Sequence, residues 1–179
     1  MKRIVALLLL CALLLVMVGC GKKDGDYTTQ IRKARQELMA YFDTHKGALA
    51  ALSEELLGIH GEEDALSINV DMENRQLVLF SDPKIYWSDD RRDFSEDLAA
   101  LITAAEIQRS PIERISVDGA GANYLESSSC SFGFSVRNGE DFIYNFELVY
   151  TQEPQAGVME PSVVERLEDH WYLASHYWY

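Results

Sequence analysis

Several groups of residues in this sequence have the types that do chemistry. Ser81-Asp82-Pro83-Lys84 has the S-x-x-K spacing of serine acylases. That chemistry needs the serine at a helix start and the lysine one turn on, facing it. Pro83 and a β-like run before Ser81 oppose such a helix, and no K-T-G follows. Cys130 is a nucleophile by type, but it lies on the apolar face of an alternating segment. A cysteine in that setting reads as a small core hydrophobe. His170 and His176 share a face in a strand, yet stand about 20 Å apart at roughly 3.3 Å per residue. In a helix they point to different sides. Neither geometry lets the pair chelate one metal ion. His45 and His60 have no ligand pattern near them, and His45 falls on an apolar helical stripe.

The acidic runs Glu62-Glu63-Asp64 and Asp89-Asp90 suggest calcium, but Asp71-x-Glu73-x-Arg75 fails as an EF-hand loop. Arg75 takes a ligand position, Gln76 replaces the turn glycine, and Asp82 stands where a bidentate Glu belongs. These runs read as solvated surface. No metal and no cofactor is expected. The chain's last ten residues give the sharpest candidate. In a strand, Trp171, Leu173, Tyr177 and Tyr179 share one face, and His170, Tyr172, Ala174, His176 and Trp178 share the other. If the first face packs inward, Tyr172, His176 and Trp178 form an aromatic and imidazole stripe suited to a sugar or a protein partner. The competing reading packs that stripe under a helix or frays it at the terminus.

These residues need elements to position them. From Ile31 to Ile59 apolar residues recur every three or four positions, which predicts a long helix over about 28–57. It either kinks at Gly47 or divides into two, and Gly58 and Gly61 give the stop signal. Leu66–Val70 and Arg75–Phe80 read as a hairpin, with 68 opposite 77 and 66 opposite 79. A second helix is expected from about Asp93 to Gln108, with Asp93 and Glu96 as a capping box, Phe94, Leu98, Leu101, Ile102 and Ala105 as its buried stripe, and Pro111 at the exit.

The remainder reads as strands. Ile112–Val117 is one. Cys130–Val136 and Phe142–Tyr150 alternate around Asn138-Gly139. A two-residue loop there would split the aromatics between faces. A three-residue loop, Arg137-Asn138-Gly139, pairs 134 with 142 and 132 with 144, gathers the aromatics on one face, and puts Gly139 in a G1 bulge. Val163–Leu167 and His170–Tyr177 form a closing hairpin around Glu168-Asp169, with a helix as the competing reading. The fold class is α+β: a long N-terminal helix and a second helix packed on a mostly antiparallel sheet.

The chain has 179 residues, with 16 Lys+Arg against 29 Asp+Glu and a net charge of −13. Hydrophobic residues make up 47%, as in a globular protein of one domain. The acidic balance excludes a basic nucleic-acid binder as the default.

The N-terminus reads MKRIVALLLLCALLLVMVGC. Lys2 and Arg3 precede an apolar run from Ile4 to Val18, shorter than the roughly 20 residues of a membrane span. Met17-Val18-Gly19-Cys20 resembles a bacterial lipobox, with Met17 in place of the usual leucine. The resemblance implies that residues 1–19 are a signal peptide and that Cys20 carries a thioether-linked diacylglycerol as the first mature residue. It implies a protein anchored to the extracytoplasmic face of the cell membrane. Residues 20–26 then form a polar tether, and 27–179 a single domain.

Cys11 leaves with the signal, so Cys130 has no disulfide partner. Loss of Lys2 and Arg3 leaves 14 bases against 29 acids, a net of −15. Lys22 and Lys23 beside Cys20 suit an anionic leaflet, while the acidic body is expected to stand off it. The ending RLEDHWYLASHYWY resembles those of small bacterial lipoproteins and implies no activity. Three functions follow as expectations. The leading one is a non-catalytic binding or assembly module with an envelope protein or glycan partner. The others are a small envelope hydrolase using Cys130 or a Ser/His pair, and an acidic immunity or inhibitor protein facing a cationic partner.

Overall fold

The computed structural model describes residues 22–63, 65–81, 90–120, 127–138, 142–153 and 163–178. Helix α1 (Lys22–Glu63) is a single element of 42 residues. Its buried stripe is Ala34, Leu38, Phe42, Leu49, Leu52 and Leu56, the spacing that the sequence predicts. The helix is longer than expected at both ends. Residues read as a tether from Lys22 on belong to its first turns, and Gly58 and Gly61 do not stop it. A glycine costs a helix only about 1 kcal/mol relative to alanine. At Gly58 the core contacts of Leu57 and Ile59 outweigh that, and Gly61 falls in the last turn.

The strands form one antiparallel sheet: β1 (Ser67–Asp71), β2 (Gln76–Phe80), β3 (Arg91–Asp93), β4 (Arg114–Asp118), β5 (Ser129–Asn138), β6 (Phe142–Thr151), β7 (Val163–Arg166) and β8 (Trp171–Trp178). Their spatial order is β3-β2-β1-β4-β5-β6-β8-β7. Helix α2 (Glu96–Ala104) and a short 3-10 turn at Ile107–Arg109 link β3 to β4. The α+β class is therefore as the sequence predicts.

Two hairpin registers differ from expectation. In β1–β2, Ile68 lies opposite Leu79 and Val70 opposite Leu77. The turn spans Met72–Arg75, and Arg75 takes a left-handed φ of 55°. Asp71 holds that turn by accepting hydrogen bonds from the Asn74 backbone N–H and side-chain amide, both at 2.9 Å. Leu66 falls outside the strand and is exposed. In β5–β6, Phe134 lies opposite Phe146 and Phe132 opposite Leu148. Three residues separate the paired Asn138 and Phe142, so the loop length holds while its position moves by two residues. The expected bulge at Gly139 lies outside the described residues. Both slips are even, so each side chain keeps its face. The closing hairpin forms as β7–β8.

Helix α2 is shorter than expected, and its cap is Ser95, not Asp93. The Ser95 hydroxyl accepts from the Leu98 N–H at 3.1 Å, while Asp93 lies in β3 opposite Gln76. Leu98 and Ile102 bury its inner face as predicted. The Tyr41 hydroxyl donates to the Ala105 carbonyl and ties the end of α2 to α1.

Helix α1 crosses the sheet from edge to edge. Near its start Arg35 pairs with Glu165 of β7 at 2.6 Å. Further on, the Phe42 ring meets Trp171 of β8 with centroids 5.2 Å apart. Glu54 accepts from the Tyr150 hydroxyl at 3.0 Å. At the far edge Glu63 pairs with Arg92 of β3. The edge pairs are largely exposed and contribute under about 1 kcal/mol each. The core between carries the fold. Phe42, Leu49, Leu52, Phe132, Phe146 and Leu148 are buried there, at about 1.5–3 kcal/mol per side chain.

Candidate functional site

Alternation divides the sheet into a helix-covered face and an outer face. On the covered face lie Cys130, Phe132, Phe146, Leu148, Trp171 and Leu173. The outer face of β4, β5, β6 and β8 is mostly polar, and cross-strand pairing sets its rows. One row is Arg114, Gly133, Glu147 and Ala174. The next is Ser135, Asn145 and His176. On the other side run Ser116, Ser131, Val149 and Tyr172.

The first row is held by an ion pair. Arg114 on β4 reaches across β5 to Glu147 on β6. Gly133 stands between them, and a Cβ there would lie 3.3 Å from Nη2 of Arg114. The missing side chain is what lets the guanidinium lie over the strand. Glu147 is buried and Arg114 is half exposed, so the pair bridges the sheet interior to solvent.

Around this pair sit polar atoms with unspent hydrogen-bonding capacity. Ser131 is 2% exposed and Asn145 is 9% exposed. The Ser131 hydroxyl and the Asn145 side-chain oxygen have no hydrogen-bond partner. Asn145 Nδ2 and His176 Nε2 are 3.5 Å apart. An unmade hydrogen bond on a buried group costs about 1–3 kcal/mol. A buried group of this kind is satisfied by an ordered water or by a polar partner that takes the water's place. Together they offer an acceptor at Asn145, a hydroxyl at Ser131 and a guanidinium donor at Arg114. That set suits hydroxyl or amide groups, and it includes no activated nucleophile.

The stripe expected on β8 lies on this outer face, but its members fare differently. Tyr172 is 2% exposed and packs with Val149, Ala174 and Val164 in a small apolar cluster. Its ring is buried in that cluster, as the Ser131 hydroxyl is buried in the same row. His176 is half-buried beside Asn145. Trp178 is placed by its backbone only, opposite Ile143 at the end of β8. Cys20 lies outside the described residues, as do 82–84 of the S-x-x-K segment. Sequence reasoning missed Arg114, Ser131, Asn145 and Glu147. The available signal was polar residues alternating with aromatics along β5 and β6, where only the aromatic face was followed.

The other candidates resolve as structure. Cys130 is fully buried beside Ser53 of α1, and burial pushes its thiol up to about 12. It is a core residue, as expected. His45 stacks on Tyr41, ring centroids 4.5 Å apart. His170 Nδ1 lies 3.0 Å from the Thr151 carbonyl oxygen. The Asp71 carboxyl is held below its ordinary value by the Asn74 hydrogen bonds, so its oxygens serve the turn. Among the described residues no group of three or more His, Cys, Asp or Glu is placed to hold a metal. No described helix is long and apolar enough to cross a membrane. No family model, no curated protein and no solved structure matches this chain.

Proposed function

We propose that this chain is a membrane-anchored envelope lipoprotein acting as a non-catalytic binding or assembly module. Cys20 carries the lipid, and the folded body faces the extracytoplasmic side of the membrane. The outer sheet face around Arg114, Ser131, Asn145, Glu147 and His176 takes a polar partner, either an envelope protein or a glycan. The observation that carries the binding half is the pair of buried, unpartnered polar atoms on Ser131 and Asn145, on the same sheet face as a half-exposed Arg114. The anchor half rests on the sequence that ends in Met17-Val18-Gly19-Cys20. The non-catalytic reading is supported by the burial of Cys130 and the raised pKa of its thiol, since only a thiolate attacks.

Cross-linking the full-length protein in native cells, followed by mass spectrometry, tests the reading. A Cys20→Ser chain and an Asn145→Leu chain serve as comparisons. The expected result is one enriched envelope protein or glycan fragment, lost in the first comparison and reduced at least fivefold in the second. An unchanged spectrum of partners in both would overturn it.

A further inference from the structure

A cavity of about 380 Å³ opens between the early turns of α1 and strands β6, β7 and β8. Its volume lies in the range of small-molecule pockets, about 300–1,000 Å³. Ile31 of α1, Tyr144 and Phe146 of β6, and Leu173 of β8 supply apolar walls. Two arginines stand at the helix side, Arg32 and Arg35. They are not equivalent. Arg35 is neutralised by Glu165 at 2.6 Å. Arg32 makes no ion pair among the described residues and is exposed. In a chain of net charge −13, one uncompensated cation at the mouth of an apolar cavity is a selective feature. Apolar walls gain by covering hydrocarbon, at about 25 cal/mol per Å². A free guanidinium gains by pairing with carboxylate or phosphate oxygens.

We propose that this cavity binds the acyl chain of an anionic amphiphile, with its acidic head on Arg32. The chain lies against Tyr144, Phe146 and Leu173. The head is a carboxylate if the ligand is a free fatty acid, or a phosphate if it is a lipid of the adjacent leaflet. The proposal stands on the cavity and on Arg32; its leaflet-lipid form rests on the anchored reading above, and its free fatty acid form does not.

Photo-cross-linking on the full-length protein in nanodiscs of zwitterionic phosphatidylcholine tests it. Three diazirine probes of equal chain length are compared: a fatty acid, a phosphatidylglycerol, and an uncharged fatty alcohol. Peptide mapping is expected to find adducts concentrated on Tyr144, Phe146 and Leu173 with at least one anionic probe. Labelling by the fatty acid alone assigns a free carboxylate, and labelling by phosphatidylglycerol assigns a leaflet lipid. Arg32→Glu is expected to cut the anionic adducts at least fivefold and to leave the alcohol's unchanged. Lys33→Glu makes the same charge change on a neighbouring exposed residue that pairs with Glu37, and it is expected to change nothing. Adducts scattered over the surface, equal loss in both charge variants, or no dependence on Arg32 would each overturn the proposal. Both substitutions are at exposed positions, so the comparison does not depend on a core variant folding.

Discussion

Gly133 carries no side chain, and the Arg114 guanidinium occupies the space that leaves. Gly133→Val would drive the guanidinium off the strand and strand Glu147 in a buried setting without its partner. The expected loss is about 1–3 kcal/mol of stability, read as a lower urea midpoint. An unchanged midpoint would show that the ion pair is incidental. Three hydroxyl or thiol groups, two buried and one half-buried, set the behaviour in alkali. Burial raises Cys130 from 9.0 to about 12, and Tyr41 and Tyr150 from 10.0 to about 12. For Tyr150 the adjacent Glu54 carboxylate pushes in the same direction. Each group is neutral while protonated, and the folded chain holds those protons more tightly than the unfolded one. Their contribution is complete below pH 9, falls as the unfolded thiol and phenols ionise, and is lost by about pH 12. Melting temperature is therefore expected to fall steadily from pH 9 to pH 11. Cys130→Ala should flatten the first part of that fall. In the folded protein Cys130 should resist thiol reagents until denaturant is added.

Elements were legible where periodicity was long, and poorly placed where a turn decided the register. The α1 stripe and the strict alternation of Cys130–Val136 and Phe142–Tyr150 identify their elements and faces without help. The β5–β6 slip arises because Asn138, read as a loop residue, pairs with Phe142. The β1–β2 slip arises because Asp71 organises a longer turn through Asn74. Local chemistry of that kind competes with the Asn-Gly and alternation signals and leaves no period to read. The α2 cap moved for a similar reason: Ser95 reaches the Leu98 N–H, and Asp93 is engaged in β3. The outer-face site was not legible, because Arg114, Ser131, Asn145 and Glu147 are placed together only by the β4–β5 and β5–β6 registers, and the alternation fixes a face but not a register. Glycines in α1 give a test at this scale. A Cβ at Gly47 or Gly58 meets nothing within 4 Å. Each Gly→Ala change is expected to add about 0.5–1 kcal/mol and about 1–4 °C in Tm. Ser95→Ala should cost about 1 kcal/mol through the lost cap. A fall in Tm for Gly47→Ala would mean that the helix needs a bend there.

The whole molecule is a sheet spanned on one face by a helix about 63 Å long, at 1.5 Å for each of its 42 residues. That helix begins at Lys22, two residues after Cys20. In the proposed reading the anchor therefore connects almost directly to a rigid element, and the body has little freedom to drift from the membrane. In the same reading the acidic excess would keep the rest of the surface off an anionic leaflet, and Lys22 and Lys23 would follow the lipidated residue closely in sequence. The covered face holds the core, and in the proposed reading the outer face would meet the partner.

Intact-mass spectrometry of the full-length protein extracted from native membranes tests the account most directly. The account predicts a chain beginning at Cys20, with the added mass of a thioether-linked diacylglycerol, and none of that species from Cys20→Ser. A chain that retains Met1, or one cleaved elsewhere with Cys20 unmodified, would contradict it.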